Sequence, residues 1–147
     1  MNRNFLAVKK EFTTKAKCKS VIKTLDKNLK VDKSNPNLNY YYKDSVESSS
    51  LYENESIDFI FFDSEHTEIY ATKEIKAWYP KVKIGGYMGG HDYVCFPCPE
   101  IAYIIGVGSA VNKLFNDNFK LYPGQRDNYG RIYGPSWLHK KVEKSLF

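Results

Sequence analysis

Three polar clusters in this sequence each follow an apolar or aromatic run. Asp44-Ser45 comes after residues 38–42, Asp63-Ser64-Glu65-His66 after residues 57–62, and His91-Asp92-Tyr93 after residues 87–90. These side-chain types do chemistry. Two carboxylates such as Asp63 and Asp92 can share a divalent cation such as Mg2+ through oxygen ligands. An imidazole such as His66 or His91 ordinarily titrates at about 6.5, so it can take or give a proton near neutrality. Each cluster also has a structural reading. Asp44 would cap a helix over 46–52, Asp63 would cap a helix beginning at Thr67, and both histidines would be hydrogen-bonded structural residues. For Asp63 the functional reading is favoured, because Asp92 falls at the neighbouring strand end. For Asp44, His66 and His91 the two readings balance.

The elements that must position these clusters are legible from hydrophobic periodicity. Residues 57–62, Ile-Asp-Phe-Ile-Phe-Phe, are nearly continuous in apolar side chains, as in a strand of a parallel sheet covered on both faces. A helix is predicted over 67–79, with Ile69, Ala71, Ile75 and Trp78 available for one face and Pro80 at its end. Lys83-Ile84-Gly85-Gly86 reads as a turn before a strand over 87–90. A further helix is predicted over 106–115. Residues 119–122 and 136–139 read as two late strands, joined by a Gly/Pro/Asn-rich connection over 123–135. That connection is long enough for an active-site loop or a hairpin excursion.

At the front, Phe5-Leu6-Ala7-Val8 fits a strand or a helix end. Thr13 or Thr14 would cap a helix over 15–33, which sets Cys18, Val21, Ile22, Leu25 and Leu29 against a lysine-rich face. Strands alternating with helices argue for βαβ units. In such sheets ligands sit beyond the carboxyl ends of the strands, which is where the three clusters fall.

Charge divides the chain. Its 147 residues carry 22 bases and 17 acids, a net +5. The first 33 residues hold ten bases against three acids, a net +7, and the remainder is −2. A basic helix face could contact nucleic-acid phosphates. However, this helix lacks arginine and interleaved aromatics, so a solvated face is favoured over a nucleic-acid-binding module.

Composition excludes other classes. At 42% hydrophobic and 16% aromatic the chain can bury a core, which argues against wholesale disorder. No apolar run approaches the roughly 20 residues of a membrane span. The start shows no secretory pattern, and three cysteines are too few for a disulfide scaffold. A cytoplasmic protein is expected. Cys95-Phe96-Pro97-Cys98 and His91 form H-x3-C-x2-C. A zinc site would need Cys18 or His66 at an unsuitable spacing, so free thiols are favoured over zinc or redox chemistry. Gly85-Gly86 and Gly89-Gly90 fit turns and close packing better than a phosphate cradle.

Residues 56–66 and 77–93 together resemble the fourth- and fifth-strand region of class I S-adenosylmethionine-dependent methyltransferases, closest to the small-molecule and sugar-type members. The shared features are Asp63-x-x-His66, the helix end Trp78-Tyr79-Pro80-Lys81, the Gly85-Gly86 pair and Gly90-His91-Asp92-Tyr93. Tyr42-Lys43-Asp44-Ser45, residues 106–111 and residues 136–141 resemble the end of the third strand, the following helix and the last strand.

The resemblance implies a Rossmann-like α/β fold with a mostly parallel sheet, flanking helices and an antiparallel C-terminal strand. It implies S-adenosylmethionine as cofactor and an oxygen or nitrogen of a small molecule or glycan as methyl acceptor. His91 and Asp92 would be catalytic, Asp44, Ser45, Asp63 and His66 would contact the cofactor, and Asp63 with Asp92 would hold a metal. The family's glycine-rich cofactor loop has no counterpart, since no glycine precedes Gly85. The expectation is therefore one N-terminally shortened domain over 1–147, with a basic segment (1–37) and a family-like core (38–142). A homo-oligomer, or a partner supplying the missing unit, would complete it. The alternative is a non-catalytic relative acting by association. If residues 5–8 are the second strand, Glu11 would stand where the family places a ribose-binding acid.

Overall fold

The structure is a computed structural model that describes residues 5–8, 43–93, 97–98, 103–126, 128, 130 and 134–145. The predicted helix over 15–33, the predicted strand over 38–42, Glu11, Cys18 and Cys95 lie outside the described residues.

The elements are β1 (Phe5–Val8), α1 (Ser45–Ser48), β2 (Ile57–Phe62), α2 (Glu68–Trp78), β3 (Val82–Gly90), β4 (Pro97–Cys98), β5 (Tyr103–Ile104), α3 (Val107–Phe115), β6 (Lys120–Tyr122) and β7 (Ser136–Lys140). Five strands form one sheet in the order β1-β2-β3-β7-β6. The pairs β1–β2 and β2–β3 are parallel, while β7 runs antiparallel to both β3 and β6. This is the expected mostly parallel sheet with an antiparallel C-terminal strand. β1 pairs directly with β2, whose sequence resembles the family's fourth strand. In a doubly wound sheet that neighbour is the first strand, not the second. The premise that gave Glu11 a ribose-binding role is thereby removed.

α2 and α3 pack on each other and on one face of the sheet. Period two in the strands presents Ile60 and Phe62 of β2, Met88 of β3 and Trp137 of β7 to that face. The helices answer with Ala71, Ile75, Trp78, Ala110, Val111 and Phe115, all buried. The burial of α2 corrects the sequence reading at one position. Ala71, Glu74, Ile75 and Trp78 recur at helical spacing, but Ile69 lies off that stripe and is 71% exposed. On β2, Phe59 and Phe61 are half-buried rather than enclosed, so the run is fully covered on one face among the described residues.

The predicted turn at 83–86 is instead part of the nine-residue β3. The register jumps from Ile57↔Val82 to Phe59↔Tyr87, so β3 bulges there. Gly85, with φ of +83°, supplies the left-handed residue the bulge needs. The chain after β7 braces it: Gly85 N–H donates to the Lys141 carbonyl (2.7 Å), and Lys141 N–H donates to the Gly86 carbonyl (2.9 Å).

Candidate active site

The carboxyl end of β2 runs straight into Asp63, which is exposed. The turn that follows is held from several sides. The Ser64 hydroxyl donates to the Glu74 carboxylate on α2, and the Thr67 hydroxyl donates to Glu65 (2.9 Å). Thr67 also caps α2 by accepting from the Tyr70 N–H (3.3 Å). Thr67, rather than Asp63, is therefore the N-cap, and the Asp63 carboxylate is not spent on capping α2. The His66 carbonyl accepts from the Gly106 N–H (2.7 Å), which docks the start of α3 onto this turn.

β3 delivers the second half of the site. His91 N–H donates to the Phe62 carbonyl (3.0 Å) and so continues the ladder past the strand ends. Asp92 follows with φ of +55°, a conformation that non-glycine residues seldom adopt and that recurs at functional sites. Tyr93 then ties the chain down. Its N–H donates to the Pro135 carbonyl (2.9 Å) and its hydroxyl to Asn112 Oδ1 of α3 (2.8 Å).

Asp92 therefore stands between two imidazoles. Its Oδ2 lies 2.8 Å from His66 Nε2 and its Oδ1 lies 2.9 Å from His91 Nδ1. Asp63, His66 and Asp92 each offer one ligand atom within 4.8 Å of the others. The side chains of His66 and Asp92 are 25% and 21% exposed, so their attraction is only partly screened. The hydrogen bond that His66 donates to Asp92 raises the His66 pKa against the opposing pull of burial, and the charges of Asp92, Asp63 and Glu65 add to the rise. In return the hydrogen bond from His66, and then that from His91, holds the Asp92 carboxyl below the usual carboxylate range. A cleft with the apolar walls Phe62, Ile75, Val107 and Trp137 adjoins this cluster, and Asp63, His66 and His91 line it too.

Four of the predicted site residues, Asp63, His66, His91 and Asp92, thus converge at one place. Asp44 and Ser45 are engaged elsewhere. Asp44 caps α1, with Oδ1 accepting from Val46 and Glu47 N–H (2.9 and 3.3 Å), and its Oδ2 accepts the Tyr70 hydroxyl (2.6 Å). Burial, and then that bond, raises the Tyr70 pKa well above its ordinary value. Ser45 is fully buried, and its carbonyl and hydroxyl accept the Trp78 indole N–H (3.0 and 3.2 Å). The sequence reading missed Glu74, a 1%-exposed acid behind Ser64. The available signal was an acid on the inward stripe of α2, three residues after Ala71.

The fold is that of an α/β domain with a mostly parallel sheet, and its clustered polar side chains lie beyond the carboxyl ends of two parallel strands. The model of a family described as "Methyltransferase domain" matches residues 7–93, more than half of the chain, and the chain belongs to that family. The match begins within the basic front segment.

Among solved structures, the spermidine synthase of Thermotoga maritima superposes with a TM-score of 0.59 at 15% identity, covering 99% of this chain and 46% of that one. A Corynebacterium glutamicum protein gives 0.58 at 11% identity, covering 95% and 61%. A SAM-dependent O-methyltransferase of Thermotoga maritima gives 0.53 at 14% identity, covering 96% and 50%. At these identities the likeness is one of fold, and the chain spans less than two thirds of each of these proteins. No curated protein sequence matches it. Among the described residues, no helix is long and apolar enough to cross a membrane.

Proposed function

We propose that this chain transfers a methyl group from S-adenosylmethionine to an oxygen or nitrogen of a small molecule or glycan, at the carboxyl ends of β2 and β3. The observation that carries the reading is Asp92 held between His66 and His91 beside Asp63. When bound, the cofactor supplies an electrophilic methyl group on a sulfonium, and its displacement is in line, so positioning gives most of the acceleration.

The chain's own residues move the proton. His91 Nδ1–H donates to Asp92, which leaves Nε2 with its lone pair. That nitrogen takes the proton of the acceptor hydroxyl or amine as it attacks. Asp92, kept ionised, stabilises the imidazolium that forms. His66, whose pKa is raised by that contact, meets the other oxygen.

Asp63 and His66 are assigned to the cofactor side, where an exposed carboxylate suits a cationic ligand. Asp44 and Ser45 support it only indirectly, through α1 and the Trp78 contact. A divalent cation fits the donor set. Asp63 and Asp92 would hold it through carboxylate oxygens, the ligands that Mg2+ selects, and it would stabilise negative charge on an acceptor oxygen and ease loss of its proton.

Calorimetric titration of the full chain with S-adenosylmethionine and its demethylated product, with and without Mg2+, tests the proposal. Saturable binding, weakened in D63N, is expected. No binding by the folded chain would sink the enzyme reading. It would instead support the second reading, a non-catalytic relative acting by association, which the lack of any glycine before Gly85 favours.

A further inference from the structure

Asp92 lies two residues beyond β3 in a left-handed backbone conformation, with its carboxylate between His66 and His91. A glycine more than forty positions along the chain leaves the room that its carboxylate occupies. We propose that Gly134, in the connection before β7, is a positioning residue that sets the Asp92 carboxylate between His66 and His91. The importance of that carboxylate rests on the methyl-transfer reading above, whereas the contact itself does not.

A Cβ placed on Gly134 would lie 2.8 Å from Asp92 Oδ1, 3.4 Å from Asp92 Cα and 3.7 Å from His91 Cε1. Oδ1 is the oxygen that meets His91 Nδ1 at 2.9 Å. A methyl group there would take the space of that oxygen, and swinging the carboxylate away would also move Oδ2 off His66 Nε2. The connection cannot easily retreat, because the Pro135 carbonyl accepts the Tyr93 N–H at 2.9 Å. Tyr93 is itself fastened to Asn112 of α3. Gly134 is not among the glycines with positive φ; Gly85 and Gly130 are. Glycine is therefore required at 134 for space rather than for backbone freedom. The position lies outside the 7–93 span of the family match, so this wall of the site belongs to the C-terminal part of the chain.

The test compares G134A, D92A and the double variant in the full chain, with G130A as a loop control. Gly130 has φ of +81° and only Arg126 Nη1, at 4.0 Å, near its would-be Cβ. The readouts are the ring 15N–1H NMR signals of His66 and His91 at fixed pH, and the urea midpoint. G134A is expected to displace both ring signals in the direction D92A displaces them, while G130A leaves both in place. In the D92A background, adding G134A is expected to move the urea midpoint much less than in the parent. Unchanged ring signals in a folded G134A, or an equal midpoint shift in both backgrounds, would overturn the proposal. If G134A alone fails to fold, a folded D92A/G134A supports the contact and an unfolded one overturns it. No readout needs cofactor or substrate, so loss of the methyl-transfer reading and loss of this contact are separately visible.

Discussion

His66, in the turn after β2, and His139, on β7, are the same side chain, and their surroundings drive them in opposite directions. His66, at the carboxyl end of β2, is a quarter exposed and meets a carboxylate, and its pKa rises. His139, on β7, is 2% exposed. Its Nδ1 sits 2.6 Å from the Asn118 carbonyl, and its ring stacks on Phe115 at 4.0 Å between centroids. Burial pushes its pKa down, and the Asn118 bond only partly offsets this. Its Nε2 is buried and meets no hydrogen-bond partner among the described residues. The core keeps this histidine neutral, while the site keeps its histidine chargeable. What separates them is a carboxylate within reach and enough water to limit desolvation. Lys141 follows the core pattern. It is 1% exposed, its ammonium donates to the Tyr79 and Val82 carbonyls (3.0 and 2.7 Å), and burial lowers its pKa.

The largest expected effect breaks the core side of the comparison. W78A removes a fully buried indole and leaves Ser45 without its partner, at about 3–5 kcal/mol. Urea denaturation at neutral pH measures it.

On the site side, D92N removes the charge that two imidazoles share. Its expected cost is about 1–2 kcal/mol near pH ~6, where His66 is charged. The same variant should lower any methyl transfer by about 10²–10⁴-fold if His91 acts as the base. A D92N protein as active as the parent would refute that assignment.

pH sharpens the contrast. His66 has a raised folded pKa, so its contribution is full below its ordinary value of about 6.5 and is lost as pH rises through the raised value. Asp92 has a lowered folded pKa, so its contribution is present above about 3.9 and is lost as pH falls through the lowered value. His139 acts oppositely to His66. The unfolded chain binds its proton more readily, so stability declines as pH falls below about 6.5. Urea midpoints taken across this range should therefore lose the loss-on-rising slope in D92N and retain the acid-side decline.

H139F keeps the stacking on Phe115 but gives up the Asn118 bond along with a buried orphan nitrogen. It is expected to change stability at neutral pH by less than about 1 kcal/mol and to flatten the acid-side decline. K113A should have the smallest effect. The Lys113–Glu68 contact between α3 and α2 is a surface pair, so thermal unfolding should barely shift. A large shift would mean that this clasp, rather than the buried faces, joins the helices.

Much of the site was legible because strand ends are legible. Ile57–Phe62 announces a buried strand, and polar residues that follow such a strand have few places to go. That Asp63, His66, His91 and Asp92 lie together was expected on this ground, and the resemblance read from the same segments is borne out by the family match. Asp44 and Ser45 looked alike in sequence, yet one caps α1 and the other receives the Trp78 indole. A polar residue after an apolar run satisfies both patterns, and only its partners distinguish them. The turn expected at 83–86 proved to be a bulge inside β3 for a similar reason. A Gly-Gly pair marks backbone freedom without saying whether the chain reverses or continues.

The sequence by itself determined the class of fold, the parallel core strand and the residue types gathered at the strand ends. These follow from local periodicity and chain order. Only the tertiary structure decided that one carboxylate serves two histidines, that β1 lies directly beside β2, and that a side chain at Gly134 would meet Asp92. Each of these depends on distances of a few ångströms between residues tens of positions apart, and spacing along the chain carries no record of such distances.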